Sequence, residues 1–93
     1  MLKTNQYFDG KVASIAFQGE KLPATVGVIT PGKFTFDTKQ KEVMTVVSGV
    51  LKVDLPQNDS SITVKAFESF TIEANQTFDV EADADVAYLC TYE

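Results

Sequence analysis

Glu42 is the side chain of this sequence best placed to do chemistry. It opens the segment Glu42-Val43-Met44-Thr45-Val46-Val47-Ser48, an alternating strand pattern that ends in a Ser48-Gly49 turn. A carboxylate directed inward from such a strand is costly to bury unless it has partners or a task, so it marks a candidate site. A carboxylate so placed can accept hydrogen bonds from a polar ligand. The alternative is a buried carboxylate bonded only to neighbouring backbone.

Composition narrows that chemistry. The 93 residues contain no histidine, arginine or tryptophan. Without imidazole the commonest metal ligand is missing, which argues against zinc, copper and non-haem iron, and no acidic run has the spacing of a calcium loop. We therefore expect no metal and no organic cofactor. The formal charge of −5 gives an average field that repels nucleic acid and anionic membrane, so neither is an expected partner, and an anionic ligand must be caught locally. The single Cys90 excludes an intramolecular disulfide; with no histidine to activate it, the thiol reads as a small buried hydrophobe. No apolar run approaches the ~18 residues of a membrane helix, and Met1 to Gly10 lacks the apolar core of a signal peptide, so the expected location is cytoplasmic.

The elements that must position Glu42 are strands. Period-two alternation recurs along the chain, and no long window sustains a helical period. Lys11 to Phe17 and Thr25 to Thr30 read as the first two full strands, followed by Lys33 to Asp37, Glu42 to Ser48 and Val50 to Leu55. Pro56-Gln57-Asn58-Asp59 is a turn signal. Ile62 with Val64, Phe70 with Ile72, and Phe78 with Val80 mark three short strands, and Asp85 to Tyr92, apolar on both faces, reads as a central one. Residues 1–93 thus form one all-β domain, and closing the sheet is how so short a chain buries enough apolar surface.

The spacing Phe36-x-Thr38-x3-Glu42-x6-Gly49 resembles the first motif of the cupin β-barrel, or jelly roll. The resemblance implies a small cupin-type barrel with Glu42 at its mouth. Phe36 and Thr38 stand where that fold normally carries two metal-binding histidines. The second cupin motif, Gly-x5-Pro-x-Gly, falls near Phe67 to Asn75, with Phe67, Glu73 and Ala74 read at its Gly, Pro and Gly positions, so the barrel is expected to depart in shape there.

Longer words resemble one bacterial family, the cupin-fold pyrimidine/purine nucleoside phosphorylases: Asn5-x-Tyr7-Phe8-x-Gly10-Lys11-Val12, Val26-Gly27-Val28, Pro31-Gly32-x-Phe34-x-Phe36-x-Thr38, the run from Glu42 to Pro56, and Tyr88-Leu89-Cys90-x-Tyr92. They span nearly the whole chain. The resemblance implies phosphorolysis of many purine and pyrimidine nucleosides to free base and pentose 1-phosphate, with inorganic phosphate as co-substrate. Such a reaction passes through a ribosyl cation-like state. Glu42 is then the group for the sugar, with Thr38 a companion, whereas alternation turns Thr45 away. Lys11 is the first choice for phosphate, ahead of Lys33 and Lys52, and backbone amides at the Pro31-Gly32 and Ser48-Gly49 turns can share the load. Tyr7, Phe8, Phe36 and Tyr88 are the aromatic candidates for the base, each with core packing as its alternative.

Two other functions fit the same residues: a metal-free cupin that binds a nucleoside or sugar without turnover, and an interaction module with no ligand. A homodimer is expected, because so small a fold leaves sheet edges and one apolar sheet face uncovered, and Leu2, Tyr7 and Phe8 are offered to a neighbour.

Overall fold

The computed structural model describes Met1–Glu93 as ten strands and no helix: β1 Lys3–Tyr7, β2 Val12–Gln18, β3 Pro23–Ile29, β4 Gly32–Asp37, β5 Glu42–Ser48, β6 Val50–Asp54, β7 Ile62–Lys65, β8 Ser69–Ile72, β9 Thr77–Ala82 and β10 Val86–Tyr92. All pairings are antiparallel. They form a six-stranded sheet in the order β1-β2-β3-β10-β5-β8 and a four-stranded sheet in the order β4-β9-β6-β7. The two sheets are not hydrogen-bonded into one ring, so the expected closed barrel is a jelly roll of two facing sheets. β10 is central as alternation required, lying between β3 and β5.

Parity along each strand explains the core. Val12 on β2, Ile29 on β3, Val46 on β5, and Val86 and Cys90 on β10 point inward from the larger sheet, meeting Leu51 and Val53 on β6 and Phe78 and Val80 on β9. Each fully buried aliphatic side chain contributes about 1.5–3 kcal/mol from removal of apolar area from water. One bulge interrupts the pattern: Ala87 pairs with Ser48 but Tyr88 with Val46, so Val47 is left opposite no partner and is exposed.

β1 was not expected. Its sequence, KTNQY, has no apolar alternation, and it forms because every residue of it pairs with β2 across a tight hairpin. The turn has φ of 55° at Phe8 and 58° at Asp9, the paired positive values that match hairpin twist, followed by Gly10 at 82°. Strand β1 is thus the arm that delivers Phe8 back onto the domain.

The second departure concerns Phe67 to Asn75. Although the glycines of the second cupin motif are missing, Phe67 (φ 70°) and Asn75 (φ 61°) hold left-handed backbone. The conformation persists while the residue that adopts it at lowest cost is gone. Because Phe67 is 82% exposed, its ring contributes little packing. Phe67→Gly is therefore expected to stabilise the fold by about 0.5–1 kcal/mol, read as a higher midpoint in thermal or urea unfolding. An unchanged or lower midpoint would mean that the ring supports the turn.

Candidate functional site

A cavity of about 550 Å³ opens between the sheets at the end where β4, β5 and β10 meet the β1–β2 turn. Glu42, the first residue of β5, is half-buried on its wall. Parity places it inward with Met44 and Val46, as the alternation required, and its register partner is Tyr92. The neighbouring Cys90 thiol donates to Glu42 Oε1 at 3.4 Å, and the Tyr92 hydroxyl shares a 2.9 Å bond with Thr25 Oγ1. Burial raises the Glu42 carboxyl above its usual range, and the Cys90 hydrogen bond opposes part of that rise.

The same burial, reinforced by the carboxylate's field, pushes the Cys90 thiol up to about 12. Cys90 is therefore a neutral donor and not a nucleophile. Tyr88 is likewise pushed up to about 12, chiefly by burial, and Tyr92 is raised as well, again chiefly by burial. The floor under Glu42 is a layer of uncharged donors.

Across the cavity stands an aromatic group. Phe36 on β4 stacks on Phe78 of β9 with centroids 5.7 Å apart, and Phe8 meets Phe36 edge-on at 5.6 Å and tilts against Phe34 at 5.0 Å. Phe36 lines the cavity on the strand face that carries Phe34 inward. Tyr7, from the end of β1, completes that side.

The structure thus brings Glu42, Tyr7, Phe8, Phe36 and Tyr88 around one cavity. It leaves two sequence-selected residues out. Thr38 is buried, but its hydroxyl donates to Glu73 O at 2.7 Å and accepts from Gln76 N at 3.0 Å, so it fastens the β8–β9 loop and does not line the cavity. Lys11 is exposed at the end of the hairpin turn, where its amide donates to Phe8 O and its carbonyl accepts from Thr30; its side chain does not line the cavity. The cation at the mouth is Lys39, in the β4–β5 loop with Gln40. A sequence signal for it existed: any short loop joining Phe36 to Glu42 must overhang the space between them. Cys90, which reads in the sequence as a small buried hydrophobe, and Tyr92 share the parity of Tyr88, and both line the cavity. Of the lesser lysines, Lys52 lies 4.0 Å from Glu81 on the surface, and Lys33 is exposed on β4.

No group of three or more His, Cys, Asp or Glu side chains is positioned to hold a metal ion. The donors at the fold's usual metal position are Phe36, Thr38 and Glu42, and a phenyl ring and an already bonded hydroxyl do not fit one.

Fold and site together define a cupin-like jelly roll with a pocket walled by aromatic rings and the half-buried Glu42. The chain belongs to the pyrimidine/purine nucleoside phosphorylase family, whose model matches residues 2–92. A relative from Magnetococcus marinus bearing the name pyrimidine/purine nucleoside phosphorylase is 59% identical over 92 residues, covering 99% of each chain. The crystal structure of a protein of unknown function from Vibrio parahaemolyticus superposes with a TM-score of 0.94 at 39% identity, covering 100% of this chain and 99% of that one. A cupin-2 domain protein from Shewanella frigidimarina, at TM-score 0.66 and 18% identity, shares the fold; it covers 83% of this chain and 76% of that one.

Proposed function

We propose that this protein catalyses phosphorolysis of purine and pyrimidine nucleosides, releasing free base and pentose 1-phosphate. The observation that supports it most is the half-buried Glu42 carboxylate facing an aromatic wall in a cavity of about 550 Å³, within the range of small-molecule sites. Glu42 accepts the ribose hydroxyls and offsets the positive charge that grows on the sugar as the glycosidic bond lengthens. Phe8, Phe36 and Phe78 offer faces and edges to the base, a mode of recognition that every base satisfies. The names carried by the relatives support the same reading. Its test is release of free base from uridine and inosine, with and without inorganic phosphate. Release that requires phosphate is expected. Binding without release would instead establish a nucleoside-binding cupin, and neither would leave the family resemblance without activity.

Phosphate is assigned to Lys39 and not to Lys11. Lys39→Ala is expected to raise KM for phosphate about tenfold while leaving KM for the nucleoside within about twofold, and Lys11→Ala to change neither. The reverse result would return the anion site to the hairpin turn.

We also propose a homodimer, through a surface other than the amino-terminal one. Phe8 packs on Phe34 and Phe36 and Tyr7 lines the cavity, so each spends part of its surface within the chain while remaining partly exposed. The outer face of the six-stranded sheet exposes Ile15, Phe17, Val26, Val28 and Val47, and the outward residues from Thr4 and Gln6 of β1 to Thr71 of β8 include no charged side chain. In a chain of net charge −5, an uncharged apolar face is one that two copies can press together about a two-fold axis without repulsion. Light scattering at micromolar concentration is expected to give about twice the 10.2 kDa chain mass, and Val26→Glu to give a monomer. A wild-type monomer would refute the dimer.

A further inference from the structure

Gly27 carries no role in the site as described, yet the geometry around it is demanding. Ser14 on β2, Gly27 on β3 and Tyr88 on β10 are register partners in a single row across the inner face of the larger sheet. The Tyr88 ring does not stand upright over its own strand but lies across Gly27. A Cβ at position 27 would come 2.6 Å from both Cζ and Oη of Tyr88, closer than real Cβ atoms approach anything. Crossing β3 in this way turns the phenol toward Ser14, the register partner of Gly27 on the far side of the row. Tyr88 and Ser14 both line the cavity, each only 5% exposed.

We propose that Gly27 and Ser14 are positioning residues that hold Tyr88 across β3 so that its phenol O–H meets the departing base of the nucleoside. The proposal rests on the phosphorolysis reading and deepens it. Glu42 lies three strands away from Ser14 and, as the register partner of Tyr92, four residues along β5 from the row that holds Ser14, Gly27 and Tyr88. With Glu42 at the sugar, the phenol therefore falls at the base end. In the reaction a phosphate oxygen bonds to C1′, and the pair of electrons in the C1′–N bond leaves with the base. The negative charge thus created spreads to the carbonyl oxygens and ring nitrogens of the base, where a phenol hydrogen bond stabilises it. Tyr88 keeps its proton throughout; the released base takes a proton from solvent, and the sugar phosphate gives up to solvent the proton that the attacking monohydrogen phosphate carried, so charge and protons balance. A neutral donor of this kind serves purines and pyrimidines alike, because both leave with charge on acceptor atoms. Burial keeps Tyr88 protonated well above neutral pH, so the donor is present under any ordinary condition.

The test uses substrates whose bases differ in their need for such help. Inosine and uridine expel an anionic base, whereas 7-methylinosine, already cationic in its base, expels a neutral one. Tyr88→Phe is expected to lower kcat at least tenfold on inosine and uridine, with KM little changed, and to stay within about twofold on 7-methylinosine. Gly27→Ala and Ser14→Val should show the same contrast. Equal losses on all three substrates, or no loss, would overturn the proposal. A Cβ at position 27 also comes 2.7 Å from Ala13 O, so Gly27→Ala can strain the β2–β3 pairing, and Ser14→Val serves as the variant that leaves β3 untouched. Crystal structures of both variants should show the Tyr88 ring moved off its wild-type position; an unmoved ring refutes the positioning role. If the wild-type protein releases no base from any nucleoside, phosphorolysis fails, and those structures still decide whether Gly27 and Ser14 place Tyr88.

Discussion

Glu42→Gln is expected to lower phosphorolysis by about a hundredfold or more while making the folded chain more stable at neutral pH. The loss follows from removing the half-buried negative charge assigned to the developing ribosyl cation, on the scale typical of a single preorganised electrostatic contact. The gain in stability follows from linkage. Burial raises the folded-state pKa of Glu42, so ionisation at neutral pH works against folding. Glutamine keeps the shape and an oxygen for the Cys90 thiol but carries no charge. Below the ordinary glutamate pKa of 4.5 the carboxyl is protonated in both states, so the two proteins should unfold together there, and the variant should lead as pH rises through the elevated folded value. In the wild type, kcat/KM should fall on acidification at a pH above that of an ordinary glutamate, and the variant should lack this limb. A folded Glu42→Gln variant with wild-type rates would remove Glu42 from the chemistry.

Phe36→Ala is expected to raise KM for uridine and inosine roughly five- to a hundredfold, the range given by about 1–3 kcal/mol of base stacking. The phenyl ring stands between Phe8 and Phe78, so its removal takes away a platform and loosens both neighbours. Some stability is lost as well, about 2 kcal/mol for a half-buried aromatic. Phe36→Leu separates the two effects, because it restores most of the apolar volume without a π-face. If Phe36→Leu binds nucleosides as tightly as the wild type, the position fills space and does not recognise the base. Both substrates should suffer alike, since stacking does not read base edges.

Much of this protein was legible locally. The period of two identified the strands from β2 to β10, and its parity turned Glu42 inward beside Met44 and Val46, Phe36 beside Phe34, and Tyr88 beside Cys90 and Tyr92. The absence of histidine excludes the usual cupin set of two imidazoles and a carboxylate. β1 escaped because a polar edge strand has no alternation to read; it is defined by its partner. Thr38 and Lys11 lie just outside the strands, Lys11 in the hairpin turn and not at the start of β2 as expected, so parity has nothing to say there: a loop captures the threonine hydroxyl, and the lysine does not reach the cavity.

What the sequence by itself determined is therefore the strand content, the face each side chain takes and the chemistry that the missing residue types forbid. Only the tertiary structure decided which of those side chains meet. Glu42 bonds to Cys90 across 48 residues of chain, and Thr25 to Tyr92 across 67, because β10 is inserted between β3 and β5. The physical reason is that strand parity is a local property of the backbone, whereas strand order is settled by burying both sheets' apolar faces at once, a condition that no single segment contains.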